Sequence, residues 1–456
     1  MTPSTETDAP SVVTAAHTAE VKPIAPARPK RPPMYVDLSP ESMFHQGIIS
    51  LADQAVVSAT NFATGVIIAR TCSKEEFGLY MLGLSLILLV TDLQTSLIST
   101  PYMVYAPRLK GAAHALYTGS TLIHQLAFSF FTMLALLGVA FAVTIGVGPR
   151  GLGPVIWALV AMIGLITLRE FARRVCFARL KLWTAFLFDT CIALVQVSSL
   201  LVLARFGLLS ASRAYWVIGS ACGIAILWWF WSDRGFYRLR MGESLPDLKK
   251  NWVFGRWVFA SGLVWAVSMN LYPWFLAAFH GTASAGVWAA CLGVVLVGNP
   301  ALLGIQNLVG PKIAHVYAAA GPKAVRRLVL KITAAISLPV SLLCLALIFW
   351  GGRLMTLLYG RQYAGNGLVV AILAVNLLVG AAAFPFSRAL FAIERADLEF
   401  LVNFAALFMM ITLGLWLVRT FGPLGAAIGF LGANFVTSTV RAGVFLRLPV
   451  RVSEVA

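Results

Sequence analysis

Charge is scarce in this sequence. Only 12% of its 456 residues are Asp, Glu, Lys or Arg, where soluble domains average about 25%, and that shortage speaks against a soluble globular enzyme. Cysteine is sparse too. The six are scattered, with no CxxC spacing and no Cys/His clustering, so neither a disulfide framework nor a metal site is expected. There is no Walker-A phosphate loop, hence no ATP hydrolysis by such a loop in this chain. HExxH and GxSxG are missing as well, and no long polar stretch is left over to form an exposed catalytic domain. Neither a catalytic residue nor a cofactor is expected.

What is present is apolar: 59% of the residues are hydrophobic and the mean hydropathy is +0.83. Twelve apolar runs follow one another at roughly 46–69, 78–104, 118–146, 154–175, 183–204, 214–232, 253–279, 284–311, 328–350, 365–387, 397–418 and 423–446. Each is long enough for a spanning helix of about 20 residues. The expected fold is therefore an all-α, polytopic membrane protein of twelve transmembrane helices. Breakers inside the runs, at 297–300 (ValGlyAsnPro), Pro273, Pro339 and Pro385, are expected kinks of the sort transporters use. The +17 formal charge is read as a topology signal rather than as a nucleic-acid footprint. With the N-terminus inside, 27 of the 35 basic residues fall in inner regions and 8 in outer ones, which places both termini in the cytosol.

Residues 1–45 hold eight of the 21 prolines and read as a disordered cytosolic tail. Arg28, Lys30 and Arg31 in it form a candidate contact with a lipid surface or a partner. Beyond it the expected organisation is a six-helix lobe over 46–232, a cytosolic linker over 233–252, a second six-helix lobe over 253–447, and a cytosolic tail over 448–456. A faint repeat supports the two lobes. Asn61 precedes Gly78 by 17 residues in the first, and Asn270 precedes Gly286 by 16 in the second. Parallel repeats of this kind place a substrate site between the halves.

Polar residues inside the runs are the candidate site. Gln54, Ser58, Asn61 and Gly65 share one face of helix 1, a pattern that serves either cavity lining or helix packing. Asp53 lies near the start of that run, open either to solvation from the cytosol or to an ion-coupling role. Asp92 sits mid-way along helix 2, where an ionised carboxylate costs at least ~2.5–3.5 kcal/mol. It is therefore a candidate for protonation or cation binding, with a hydrogen bond to a neighbouring helix as the plain alternative. At the end of helix 4, Arg169 and Arg173 share a face, and Glu170 and Arg174 share the adjacent one. These serve topology and Glu–Arg pairing, or form a fork for phosphate that Lys matches less well. Arg256, just inside helix 7, and Arg388, beside Pro385, are further phosphate candidates. His124 is a lone histidine expected to be hydrogen-bonded.

Several stretches carry a family resemblance. They are AlaAspGlnAlaValValSerAlaThrAsnPheAlaThrGlyValIleIleAlaArg (52–70), GluGluPheGlyLeuTyr (75–80), ArgArgValCysPheAlaArg (173–179) with Asp189, AsnProAlaLeu and GlyProLysIleAla within 299–314, and LeuTyrGlyArgGlnTyr (358–363). Together they resemble Wzx-type polysaccharide flippases of the multidrug/oligosaccharidyl-lipid/polysaccharide (MOP) exporter superfamily, over nearly all of 46–447. The long Pro-rich tail departs from that family's short N-terminus. The resemblance implies two six-helix bundles around a central cavity in a bacterial inner membrane. It also implies transfer of undecaprenyl-diphosphate-linked oligosaccharide from the cytoplasmic to the periplasmic leaflet. Bilayer lipids and polysaccharide polymerase or export machinery are the implied partners; no nucleic acid is. Arg256, Arg388, Arg173 and Arg174 would then hold diphosphate, Gln54, Asn61, Asn270 and Gln306 would face the glycan, and Asp92 or Asp53 would couple an ion. A cation-coupled drug antiporter of the same superfamily and a membrane glycan polymerase or ligase are the alternatives.

The charge split yields a direct test. Reporter fusions after Glu20, Asp247 and Lys323 are expected to report cytosol, and one at Gly360 periplasm. A periplasmic signal at Asp247 would contradict the twelve-helix arrangement.

Overall fold

The computed structural model describes residues 40–232, 237–393 and 395–447; a further group of side chains, chiefly within 40–46, 253–262 and 298–308, falls outside that description, as do the expected tails 1–39 and 448–456. The described residues from 45 to 447 belong to one compact unit. No strand occurs among them.

The apolar runs become helices that traverse the bundle twelve times. Helix α1 is Pro40–Thr71. Helix α2 covers 74–105, made of Lys74–Gln94, a π-helical turn Thr95–Ser99, and Thr100–Tyr105. Then come α3 Gly111–Thr144, α4 Leu152–Ala178, α5 Leu182–Arg205, α6 Ala211–Ser232 and α7 Met241–His280. Helix α8 covers 282–320 and α9 322–359; α10 is Gly367–Ala392; α11 covers 396–421 and α12 423–447. Nine stretches among the described residues are long and apolar enough to cross a membrane, and one of these, Asp397–Arg447, holds both α11 and α12. The two passages outside those nine are α7 and α8, whose side chains are described only in part. Outward-facing Phe131 (67% exposed) and Phe349 (73%) belong to a surface of large apolar side chains that suits lipid.

The chain departs from the expected boundaries in instructive places. The expected linker 233–252 is helical from Met241 onward, and Asn251 accepts a 2.8 Å hydrogen bond from Tyr117 on α3. Pro273 and Pro385 lie inside continuous helices. The expected breaker at 297–300 falls at a 3-10 turn, Leu296–Gly298. In the connections expected between apolar runs the chain turns sharply at Gly321 (φ 70°, ψ −174°) and Gly422 (φ 57°, ψ −133°), conformations that only glycine adopts readily. Each is followed by proline (Pro322 and Pro423), which suits the first turn of the next helix because its missing N–H is not needed there.

Two faces can be defined: the near face, where α1 begins, and the far face, where it ends. The two halves of the chain meet at the far face through a reciprocal contact. A Cβ added to Gly78 would lie 1.8 Å from the Thr282 carbonyl oxygen, and one added to Gly286 would lie 2.5 Å from the Lys74 carbonyl oxygen. Lys74 and Thr282 each open their helix, so α2 and α8 cross as equivalent partners. The pair matched in the sequence repeat is the pair that touches. Beside it, Arg70 donates to the Leu357 carbonyl at 2.6 Å and Gln362 donates to the Ala69 carbonyl at 2.7 Å, while Phe77 packs between Tyr359 and Tyr363. Ser73 caps α2, accepting from the Glu76 N–H at 3.2 Å. The Glu76 carboxylate in turn accepts from the Ala211 N–H at 2.6 Å, tying α2 to the start of α6.

The near face is organised differently. One hydrophobic core runs through the first half of the chain and on into the far-face part of the second. The near-face ends of α8, α9, α10 and α12 close on a separate cluster that includes Ile313, Val329, Phe386 and Phe445. Among the described residues the second half thus has a near-face core of its own, while α7 meets the first half there through Asn251 and Tyr117.

Gly78→Ala and Gly286→Ala are expected to lower the thermal unfolding temperature of the detergent-solubilised protein, because a carbonyl oxygen occupies the space each Cβ needs. Gly65→Ala, whose Cβ would meet nothing within 4 Å, serves as the neutral control. Equal stability of all three would show that the α2–α8 crossing is not the tight contact described.

Candidate functional site

The near-face end of α4 carries four charged residues in two turns, Arg169, Glu170, Arg173 and Arg174. Spacings of three and four put them on one side of the helix. Facing them is Asp189 on α5, whose side chain is fully buried. Arg169 donates to one Asp189 oxygen, and Arg173 Nε donates to the other at 2.6 Å. Arg173 Nη2 reaches across to Asp53 Oδ2 on α1, also at 2.6 Å, and its guanidinium lies 4.9 Å over the Phe177 ring. Glu170 accepts from Arg174 Nε at 2.9 Å and from Arg169 Nη1 at 3.3 Å. Three guanidiniums and three carboxylates from three helices form one connected network. Intramembrane charges are expected to pair in this way, since each alone carries a large desolvation cost.

This network forms one wall of a cavity of about 390 Å³. The described lining comes from α1 (Gln54, Thr60, Asn61), α2 (Tyr80, Thr91, Asp92, Thr95), α4 (Arg169, Glu170, Arg173, Arg174), α5 (Asp189, Gln196) and α6 (Ile218, Cys222). Gln196 donates to Thr64 Oγ1 at 2.8 Å, which ties α5 to α1. Asp92 lines the same cavity as the network. Its carboxylate makes no hydrogen bond or ion pair among the described residues, although its backbone carbonyl accepts from Ser96 Oγ at 2.9 Å. The π-helical turn at Thr95–Ser99 starts three residues after it. Below that turn Gln94 donates to the Thr167 carbonyl at 2.8 Å, and Thr167 meets Ser129 at 2.9 Å.

The candidates from the sequence therefore separate into two groups. Gln54, Asn61, Asp92, Arg173 and Arg174 come together around one cavity. Asp53 joins them from behind: it is 1% exposed and ion-paired, so solvation from the cytosol does not apply. The reason is the helix start. α1 begins at Pro40, which puts Asp53 about 20 Å along the helix at 1.5 Å per residue. Arg256 and Arg388 are exposed on α7 and α10 and are not among the residues lining the cavity; Arg388 lies 4.8 Å over the Phe384 ring. Asn270 turns its amide back to the Ala266 carbonyl of its own helix at 2.8 Å. The Gln306 side chain lies outside the described residues. His124 is hydrogen-bonded, its Nε2 lying 2.9 Å from the Ser244 carbonyl.

One charged group was not anticipated. In the second half Glu399 on α11 is buried and held by Arg441 of α12 at 2.8 and 2.9 Å, with Ser387 of α10 donating at 3.0 Å. An acid inside the start of an apolar run, with Asp397 two residues before it, was the available signal, since such a group needs a cationic partner. Among the described residues no group of three or more His, Cys, Asp or Glu is arranged to hold a metal ion.

Comparison with known proteins bears on what such a site does. Residues 110–368, more than half of the chain, match the family described as "Polysaccharide biosynthesis protein". No curated protein matches by sequence. Among solved structures, the chain is similar to an inward-facing multidrug resistance MATE family transporter of the MOP superfamily, with a TM-score of 0.72, 14% identity, and coverage of 86% of this chain and 94% of the other. A MOP superfamily transporter from Pyrococcus furiosus, whose binding pocket is described as having reverse polarity that suggests a different function, gives 0.63 at 14% identity, covering 89% and 95%. An outward-facing MATE family transporter gives 0.59 at 14% identity, covering 89% and 94%. At these identities the likeness is one of fold.

Proposed function

Since this chain belongs to the polysaccharide biosynthesis protein family and carries the fold of MOP-superfamily transporters, we propose that it moves undecaprenyl-diphosphate-linked oligosaccharide from the cytoplasmic to the periplasmic leaflet of a bacterial inner membrane by alternating access. The near face is then cytosolic and both termini lie inside, in keeping with the 27-to-8 split of basic residues. The work is transport, with no bond made or broken. Polysaccharide polymerase or export machinery would take up the product.

The observation that carries this reading is the cavity of paired guanidiniums. A lipid-linked glycan presents a diphosphate that needs planar bidentate donors, a sugar chain that needs polar walls, and a polyprenyl tail that stays in lipid. Arg169, Arg173 and Arg174 supply the first need by exchanging a carboxylate partner for a phosphate oxygen. Arg174 is the most accessible of the three, with 34% of its side chain exposed. Gln54, Asn61 and Gln196 supply the second. Arg256 and Arg388, exposed outside the cavity, suit the first contact with the diphosphate. The likeness to an inward-facing transporter supports a state that loads from the cytosol. Outward transfer of negative charge is favoured by about 2.3 kcal/mol per charge per 100 mV when the cytosol is negative. Asp92, a carboxylate without a partner among the described residues, is the group placed to take a proton or cation and reset the carrier.

A second reading is favoured by the same Asp92. An acidic group beside Tyr80 in a cavity also suits an organic cation exchanged for an ion, as in a drug antiporter.

Proteoliposomes loaded with labelled lipid-linked oligosaccharide, under imposed proton or sodium gradients, separate the two. The wild-type protein is expected to flip the lipid, and Asp92→Asn to lose its response to the gradient while remaining folded, since Asn keeps a hydrogen-bonding group but not the charge. Ethidium exchange without lipid flipping would replace the flippase reading by antiport. An undiminished gradient response in Asp92→Asn would remove that residue from coupling.

A further inference from the structure

A second concentration of arginine lies at the far face, outside the cavity described above. Arg70 at the end of α1, Arg353 on the last two turns of α9 and Arg361 in the following turn frame a cleft of about 650 Å³, completed by Gly352, Thr356 and Gly360. The cleft has two properties the inner cavity lacks. No carboxylate lines it, and among the described residues none of the three guanidiniums has an ion-pair partner; the one hydrogen bond there runs from Arg70 to the Leu357 carbonyl at 2.6 Å. It also straddles the two halves of the chain, with Arg70 from the first and Arg353 and Arg361 from the second.

This placement runs against the general distribution of charge. Only 8 of the 35 basic residues fall in the regions on this side, and three of the eight converge here. Three like charges around one concavity repel each other, and the more so beside low-dielectric protein. An anion bound among them reverses that sign. Guanidiniums from two elements aimed at one space are well suited to a phosphate oxygen set, which accepts bidentate donors from more than one side.

We propose that this cleft is a binding site for a phosphate-bearing lipid headgroup, and that the bound phosphate clamps the far-face seal by bridging Arg70 to Arg353 and Arg361. The bridge adds to contacts already there: Gln362 to the Ala69 and Cys72 carbonyls at 2.7 and 3.3 Å, and Phe77 against Tyr359 and Tyr363. Without the phosphate, the three cations push the two halves apart at the same place. The site stands on its own geometry, whatever the protein carries. The phosphate has two sources, an anionic phospholipid of the surrounding leaflet or the diphosphate of a polyprenyl carrier, and their chemistry at the arginines is the same.

The test uses the full chain in nanodiscs of phosphatidylcholine, with hydrogen–deuterium exchange read at 68–74 and 357–366. Adding phosphatidylglycerol to the disc, or undecaprenyl diphosphate to the phosphatidylcholine disc, is expected to slow exchange of both segments. A tenfold effect is the order of magnitude for a ligand at about ten times its dissociation constant. Slowing by phosphatidylglycerol assigns the site to bulk phospholipid, and slowing by the polyprenyl diphosphate alone assigns it to the carrier. In the Arg353→Gln, Arg361→Gln double variant, both segments should exchange slowly from the start, because the repulsion is gone, and should not respond to either lipid. Exchange in the wild-type protein that neither lipid changes, or a double variant that responds as the wild type does, would overturn the proposal.

Discussion

The ion pair between Arg173 and its two carboxylates is the interaction on which the first half of this molecule depends. Asp53 comes from α1, Arg173 from α4 and Asp189 from α5, so one buried guanidinium ties three helices together. Removing one partner from such a group is expected to cost about 3–5 kcal/mol, because the charge left behind stays buried. Pairing of this kind is weak evidence for stability in itself, since apolar residues of the same volume often do as well. The network lines the same cavity as Asp92, a carboxylate without a partner among the described residues.

The second constraint is the glycine crossing at the far face. Gly78 and Gly286 let two backbones approach where any side chain would collide with a carbonyl. Small residues at such crossings are the usual means by which helices associate in lipid, where no hydrophobic gain separates helix from solvent. The crossing joins the halves at the far face, and the second half has a near-face core of its own.

Much of this was legible in the amino-acid sequence, and what was not has physical reasons. The apolar runs became long helices, nine stretches of which among the described residues are long and apolar enough to span, because length and hydropathy decide which segments can span. The Gly78–Gly286 match, faint as a repeat, turned out to be a physical contact. Glu170 and Arg174 pair at 2.9 Å as their spacing of four implies. Contacts between distant helices were harder. Nothing in local periodicity says that Asp53 meets Arg173, 120 residues away, and the apolar run begins at 46, which hid six further residues of helix and made Asp53 look shallow. Of the breakers, 297–300 meets a 3-10 turn while Pro273 and Pro385 sit inside continuous helices. The turns between runs are marked by Gly followed by Pro at 321–322 and 422–423, where one residue permits the break and the next starts a helix. The two π-helical turns, at Thr95–Ser99 and Met410–Gly414, left no mark in the sequence pattern.

The central claim is that the cavity arginines hold a diphosphate by exchanging a carboxylate partner for it. The most direct measurement is the affinity of purified protein for undecaprenyl diphosphate, compared between wild type and Asp189→Asn alongside thermal unfolding. Removing the carboxylate that occupies Arg169 and Arg173 should lower the unfolding temperature and yet tighten binding several-fold, because the competing anion is gone while the guanidiniums remain. A folded Asp189→Asn protein that binds undecaprenyl diphosphate no better than wild type, or less well, would contradict the account and leave the network a structural one.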